Sequence, residues 1–287
     1  MNLFMNYVMI YGKLGCPAMG VAGASIATVI GQTVATAIAL VIVLSGRHYI
    51  QLNLRKLAIF DWSLMRNVVK VGFPAMLEQL FMRTGVIIYS RVVAGLGDVM
   101  NATHQICMSI QAMSFMLGQA FANATTTLMG QSLGKRRSDM AMIYMRFARM
   151  LGCIVSIILA IVLIAFNRQI VGIYNSDEAV IQAGAGILFL IALSQPIQSA
   201  QFVVSGGLRG AGDTRYTAFV MLITTLGIRT VLSILMVNVL DWGLWGAWIA
   251  LMCDQCLRSG LMVRRYNTGK WVTIWSQTKG KKAEQKG

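Results

Sequence analysis

The stretch Gly20–Ala27, GVAGASIA, is echoed far down the chain by Gly243–Ala250, GLWGAWIA. Both follow the pattern small-x-x-small-small-x-Ile-Ala, and both stand at the start of a long apolar run. Gly and Ala are common in hydrophobic proteins, so the echo gains meaning only from its surroundings.

Of the 287 residues, 56% are apolar and 12% charged, and the mean hydropathy is +0.65. That balance lies outside the range of soluble domains and points to a bilayer. Crossing about 30 Å of hydrocarbon takes roughly 20 residues of helix. Seven runs qualify, over 18–44, 67–91, 103–129, 143–166, 179–208, 217–238 and 243–263, the one over 179–208 bent by a proline. Transmembrane barrel strands would be short and alternating, and these runs are neither.

Charge predicts orientation. Arg47, Arg55, Lys56, Arg66 and Lys70 flank one connection; Lys135, Arg136, Arg137, Arg146 and Arg149 flank another; Arg209 and Arg215 a third; Arg264, Arg265, Lys270 and a Lys-rich tail close the chain. The alternate connections hold only Lys13, Arg91 and Arg168. The positive-inside rule then places the C-terminus and every second loop in the cytoplasm of a cell-membrane protein. The net charge of +15 reads as orientation and attraction to anionic lipids. No basic-aromatic groove pattern points to nucleic acid.

The repeated motif now enters the first and the last full span from the same side. That is the pattern of a parallel structural repeat about an axis along the membrane normal. Six helices separate motif from motif. The expected fold is an all-α polytopic membrane protein with one complete six-helix lobe, preceded by the last helix of a parallel-repeat lobe. The expected divisions are a remnant of the N-terminal lobe over 1–44, a cytoplasmic interfacial linker over 45–65, the six-helix lobe over 66–264 and a basic cytoplasmic tail over 265–287. Residues 1–12 are too few for a span and read as the last half of a helix, so about five helices of an N-terminal partner lobe are expected to be missing.

Four segments carry a family resemblance: GFPAMLEQLFMRTG at 72–85, the run NATHQICMSIQAMSFMLGQAFANATTTLMGQSLGKRR at 101–137, GGLRGAGDTRY at 206–216 and the closing stretch from Trp242 to Trp271. They resemble the multidrug and toxic compound extrusion (MATE) transporters, with GLRGAGDTR the most specific piece. The resemblance implies two parallel six-helix lobes, and protons or sodium ions driving organic cations or similar amphipathic solutes outward by alternating access. It implies no cofactor beyond the coupling ion. Some members carry an Asp eleven residues before the Arg of the LRG segment; here Gln198 occupies that position, able to ligate a cation but not to carry a proton.

Polar groups at membrane depth are costly unless paired or facing a polar cavity. Glu78, twelve residues from Arg66, is expected near the midplane, either as a brace for Arg83 or another basic residue or, as favoured here, as the proton or cation acceptor. Asp254 is expected to pair with Arg229 of the preceding helix, with a transport role as the alternative. In SQPIQSAQ, Ser194–Gln201, Pro196 deprives the Ala192 carbonyl of its donor and bends the helix; Gln195, Gln198 and Gln201 form a polar stripe that lines a cavity or glues helices together. Gln105, Gln111, Gln119, Asn123 and Thr125 to Thr127 make the helix over 103–129 too polar to face lipid all round. Met108, Met113 and Met116 suit either an adaptable pocket or ordinary packing.

Pro74 is placed near a helix start, where termination geometry explains it, with a hinge as the second possibility. Asp213 is expected to cap the next helix or to pair with Arg209 or Arg215. His48 and His104 are placed near span boundaries, and Cys253 with Cys256 lacks the second pair that a zinc site needs. No nucleophile-base group or phosphate loop points to an enzyme. A non-transporting membrane binding or scaffolding protein, and a flippase for lipid-linked substrates, remain as alternatives to efflux.

Overall fold

The computed structural model describes residues 2–13, 15, 17–45 and 62–272. Most of the expected linker with His48, the tail from residue 273 and Cys16 lie outside the described residues. The chain divides into two compact units, Met1–Arg66 and Asn67–Gly287.

The first unit pairs α1 (Asn2–Tyr11) with α2 (Gly20–Leu44). The second unit holds most of α3 (Trp62–Ala94), then α4 (Asp98–Gly134), α5 (Ser138–Ala165), the short α6 (Asn167–Gly172) and α7 (Glu178–Gly210). Next comes a continuous rod over Thr214–Val239, made of α8 (Thr214–Met221), a π-helical stretch (Leu222–Arg229), α9 (Thr230–Ile234) and a second π stretch (Leu235–Val239). The last helix is α10 (Gly243–Asn267). All seven expected spans are therefore helical. Most run several residues past their apolar windows, because polar end turns continue the backbone ladder beyond the hydrophobic segment. α2, α5, α7 and the rod are long and apolar enough by composition to cross a membrane; α3, α4 and α10 are diluted by polar side chains that prove to be functional candidates.

The geometry at the two motifs explains why they are alike. Gly20 and Gly243 both adopt positive φ, +53° and +55°, which glycine tolerates without a Cβ clash. The residue before each donates its N–H to a carbonyl on the preceding helix: Met19 to Met9 at 3.0 Å and Trp242 to Met236 at 3.0 Å. A Cβ on Gly23 would lie 2.5 Å from that same Met9 oxygen, and one on Gly246 would lie 3.0 Å from the Met236 oxygen. Ala27 and Ala250 are both fully buried. One motif makes the same turn and the same close helix approach in each unit.

In the second unit α7 is the central helix, packed on α4, α5 and α10. Close approach to α4 depends on Gly206 and Gly210, four residues apart and facing the backbone of Ala122 and Thr126; the Thr126 hydroxyl donates to the Gly206 carbonyl at 2.8 Å. Small residues at such spacing are how membrane helices pack without a hydrophobic driving force.

Pro74 lies in the interior of α3, well past the first turn, so termination geometry does not account for it; the helix begins at Trp62 and the proline interrupts its backbone ladder. Pro196 lies inside α7, as expected.

Candidate functional site

The buried residues of the second unit sort by depth into three layers. One apolar cluster gathers Tyr89, Cys107, Ile110, Ile187, Ile191, Leu244, Trp248 and Leu251. A second gathers Met129, Leu133, Met145, Val203, Leu208, Val220, Met262 and Trp271, at the end where the Lys- and Arg-rich connections lie. Between them, each core helix turns polar: Gln111 and Ser114 on α4; Ser194, Gln195, Gln198, Ser199 and Gln201 on α7; Thr224, Thr225 and Arg229 on the rod; Asp254, Gln255, Arg258 and Ser259 on α10. Four helices contribute to one buried polar belt.

Within the belt Gln111 donates to the Gln198 side-chain oxygen at 3.4 Å. Gln111 Oε1 and Gln195 Nε2 have no hydrogen-bond partner among the described residues. Beside them Ser114, Gly118, Ser156, Gln195, Gln198 and Ser199 border a cavity of about 20 Å³, room for one water molecule. Gln201 is also buried. Gln105 differs: it is exposed, and with Ser109, Met113, Met116, Gln119, Asn123 and Thr127 it forms a stripe at three- and four-residue spacing along one open face of α4. Met108 is instead packed against the core. α4 thus turns one polar face inward and a second, mixed with methionine, outward.

The structure corrects the expected ion pair of Asp254. Its partner is Arg258, one turn along the same helix, at 3.3 Å. The guanidinium of Arg229 instead sits over the Tyr89 ring, 4.3 Å from its centroid, where the ring face attracts a cation. A same-helix i,i+4 partner is preorganised, while Arg229, held over the aromatic face, is near enough to Asp254 to be attracted to it without an ion-pair contact. His104, in the second turn of α4, is no interfacial side chain open to solvent: it is buried between Tyr89 and Trp248, ring centroids 5.3 and 5.7 Å away. Arg258 is a deep basic residue and Arg83 is exposed, so Arg83 is not the partner of Glu78.

Glu78, 3% exposed, pairs with Arg209 at 3.6 Å and accepts a hydrogen bond from the Thr217 hydroxyl at 3.0 Å. Arg209 lies in the last turn of α7 and Thr217 in the first turn of the rod, flanking the GAGD turn. Glu78 therefore sits level with the turn that joins α7 to α8. Next to it, Phe73, Pro74, Leu77, Phe81, Arg215 and Phe219 border an apolar cavity of about 510 Å³ between α3 and the rod. Asp213 neither caps α8 with its side chain nor pairs with Arg209 or Arg215; it binds Arg265 of α10 at 2.8 Å, and that guanidinium stacks on Tyr216 at 4.7 Å. One turn between α7 and α8 thus ties α3 through Glu78 and α10 through Asp213.

Arg209, Thr217, Arg258 and Tyr89 were not singled out from sequence as partners in these sites. The i,i+4 spacing of Asp254 and Arg258 could have flagged one pair; the others are joined only by tertiary packing.

Comparison with known proteins agrees with this architecture. The MatE family model matches residues 74–235. A probable multidrug resistance protein NorM of Thermotoga maritima is 30% identical over 94% of this chain and 58% of its own length. The uncharacterized transporter YisQ of Bacillus subtilis is 26% identical over 95% and 60%. Among solved structures, a MOP superfamily transporter from Pyrococcus furiosus superposes with a TM-score of 0.84 at 19% identity, over 95% of this chain and 60% of that one. An outward-facing multidrug resistance MATE family transporter of the MOP superfamily gives 0.81 at 19% identity, over 95% and 60%. The chain thus spans about 60% of the length of the proteins it matches.

Proposed function

The chain belongs to the MatE family, and from that premise we propose that it serves secondary active antiport, exporting small organic cations or other amphipathic solutes in exchange for protons or sodium ions. The observation that carries this reading is the buried carboxylate of Glu78, held by Arg209 and Thr217 beside an apolar cavity. A group that couples an ion to transport must bind it differently in two states of the protein. Glu78 has the chemistry for that exchange. In one state its charge is met by Arg209 and the Thr217 hydroxyl; in the other a proton or sodium ion takes their place, and α3 is no longer tied to the turn between α7 and α8. Pro74, four residues earlier on the same face of α3, weakens the ladder where such a movement would begin.

For the solute, the open stripe of α4 from Gln105 to Thr127 combines amide and hydroxyl groups with Met113 and Met116. Flexible thioethers fit apolar bodies of many shapes, and the amides orient polar ends. Gln111, Gln195 and Gln198 stand behind that face as a hydrogen-bonding reserve. Within this reading the protein lies in the cell membrane with its basic loops and C-terminus in the cytoplasm, and Asp254 is structural rather than a transport group.

A second reading has one observation in its favour. Fixed charges in the belt are Arg229, Arg258 and Asp254, an excess of one positive charge, which suits an anionic or lipid-linked solute better than a cation. Proteoliposomes holding the protein, loaded in turn with a fluorescent organic cation and a fluorescent organic anion, distinguish the two. Antiport predicts efflux of the cation when an inward proton or sodium gradient is imposed, and loss of that efflux in Glu78→Gln with solute binding retained. Gradient-driven export of the anion alone would transfer the assignment to the second reading. Unaltered cation efflux by Glu78→Gln would make Glu78 a static brace.

A further inference from the structure

A separate cavity of about 810 Å³ lies at the basic end, outside both the belt and the Glu78 pair, between α5, α7 and the residues that follow α10. Its walls are of two kinds. Met142, Met145 and Met150 of α5 provide an apolar, adaptable surface, and Pro196 and Ala200 of α7 form its floor. Arg146 and Arg149, one helical turn apart on α5, provide the charge. Opposite them Trp271 is stacked on Tyr266, ring centroids 5.7 Å apart and 5° from parallel, and is held there by its indole N–H donating to the Tyr266 carbonyl at 3.1 Å.

Neither arginine has a carboxylate partner among the described residues: the four ion pairs found there use Arg137, Arg209, Arg258 and Arg265. The cavity is within the range that holds drug-sized ligands, much more than an inorganic anion fills. It also opens on the side of α5 where Met142, Met150, Phe147, Ile154 and Ile157 are exposed, the apolar outer face of a helix long and apolar enough to cross a membrane. Two guanidinium groups at one end and an apolar wall at the other define the occupant's chemistry: a phosphate at the rim and a hydrocarbon body along the helix. The same guanidinium groups repel the organic cations of the proposed transport cycle. They also repel the chain's own residues 273–287, which hold four lysines and one glutamate.

We infer that this cavity is a binding site for an anionic phospholipid, its phosphate on Arg146 and Arg149 and an acyl chain against Met142, Met150 and Pro196. Arginine matches phosphate geometry with a planar fork of donors. A basic side chain near a membrane surface contributes about fivefold to the binding of an acidic lipid.

The test uses the full protein in two bilayers, pure phosphatidylcholine and an equimolar mixture with phosphatidylglycerol. Cys153 borders the cavity and is exposed, so its alkylation by a membrane-permeant maleimide, followed by peptide mass spectrometry, reports occupancy in the unaltered chain. Phosphatidylglycerol is expected to slow that alkylation severalfold. Native mass spectrometry of the detergent-solubilised protein then compares lipid retention. Arg146→Gln/Arg149→Gln is expected to lose roughly thirtyfold in preference for phosphatidylglycerol, whereas Arg136→Gln/Arg137→Gln, the same charge change in the exposed turn before α5, keeps it. Equal alkylation of Cys153 in the two bilayers, or equal lipid preference in the Arg146/Arg149 variant and the parent, overturns the assignment. So does inorganic phosphate that displaces the lipid and protects Cys153 by itself, since that makes the site one for a free anion. If the double variant does not fold, the Cys153 comparison decides alone.

Discussion

Replacing Gly206 by alanine tests the packing that sets the position of the polar belt. An added Cβ would lie 2.7 Å from the Cα of Ala122 and 2.9 Å from its carbonyl carbon. Both are backbone atoms of α4, so no side-chain rotation relieves the contact, and α4 and α7 must separate by about 1 Å to restore ordinary van der Waals distance. Overpacking of this kind costs about 1–3 kcal/mol. Separation also stretches the 2.8 Å bond from Thr126 to the Gly206 carbonyl, worth about 0.6–1 kcal/mol between membrane helices. The sum is about 2–4 kcal/mol, or a fall in Tm of roughly 4–12 °C at about 2–3 °C per kcal/mol for a chain of this size. Thermal unfolding in detergent can be followed by the reaction of a fluorogenic maleimide with Cys107, which is fully buried in the folded protein. The control is Gly227→Ala, where no atom lies within 4 Å of the new Cβ and loss of a helical glycine is neutral or stabilising by up to about 1 kcal/mol. If Gly206→Ala melts with the parent while Gly227→Ala falls, close approach of α4 and α7 is not what holds the second unit together.

The repeat makes a paired prediction: Gly23→Ala and Gly246→Ala each push a methyl group toward the carbonyl of the helix before, at Met9 and Met236, and each should lower the stability of its own unit by about 1–3 kcal/mol, read for Gly246→Ala in the same Cys107 assay and for Gly23→Ala by the thermal loss of helical circular dichroism; a loss at only one of the two would count against equivalent roles. Asp254→Ala leaves Arg258 buried without its counter-charge and should cost about 3 kcal/mol or more, whereas Asp254→Ala/Arg258→Met should recover much of the loss; Arg229→Met, which removes a cation near Asp254 but outside its contact pair, should rescue Asp254→Ala less than Arg258→Met does, and a larger rescue there would restore the pairing read from sequence.

Much of the architecture was legible because its cause is local. A bilayer demands long apolar helices, and the alternation of basic and charge-poor connections divides them without reference to any contact. The echo of GVAGASIA in GLWGAWIA also survives in three dimensions, since a positive-φ glycine and a glycine under a carbonyl are requirements of short segments. Errors arose where distant residues decide. Glu78 meets Arg209, more than a hundred residues away, a partner that spacing along α3 could not name. His104 stands six residues into α4, close enough to its end to look interfacial, but Tyr89 and Trp248 arrive from other helices to cover it. Arg229 was given to Asp254 on depth and on the short connection between their helices; neither reports side-chain direction, and Tyr89 offered a competing partner. The layered belt could be glimpsed only as separate polar lists on single helices, because hydropathy says that a helix is interrupted and not that four interruptions coincide.

In the transport cycle proposed above, Glu78 exchanges its hold on Arg209 and Thr217 for a coupling ion when solute binds or leaves. The most direct measurement is the ion count of solute binding: titration calorimetry of the protein with an organic cation, in buffers of differing ionisation enthalpy for protons and with radioactive sodium displacement for sodium. The parent is predicted to release close to one proton or one sodium ion per cation bound, and Glu78→Gln, at matched amounts of folded protein, to bind the cation and release neither. An unchanged ion count in Glu78→Gln would contradict the account and leave the Glu78–Arg209 pair as a fixed brace between helices.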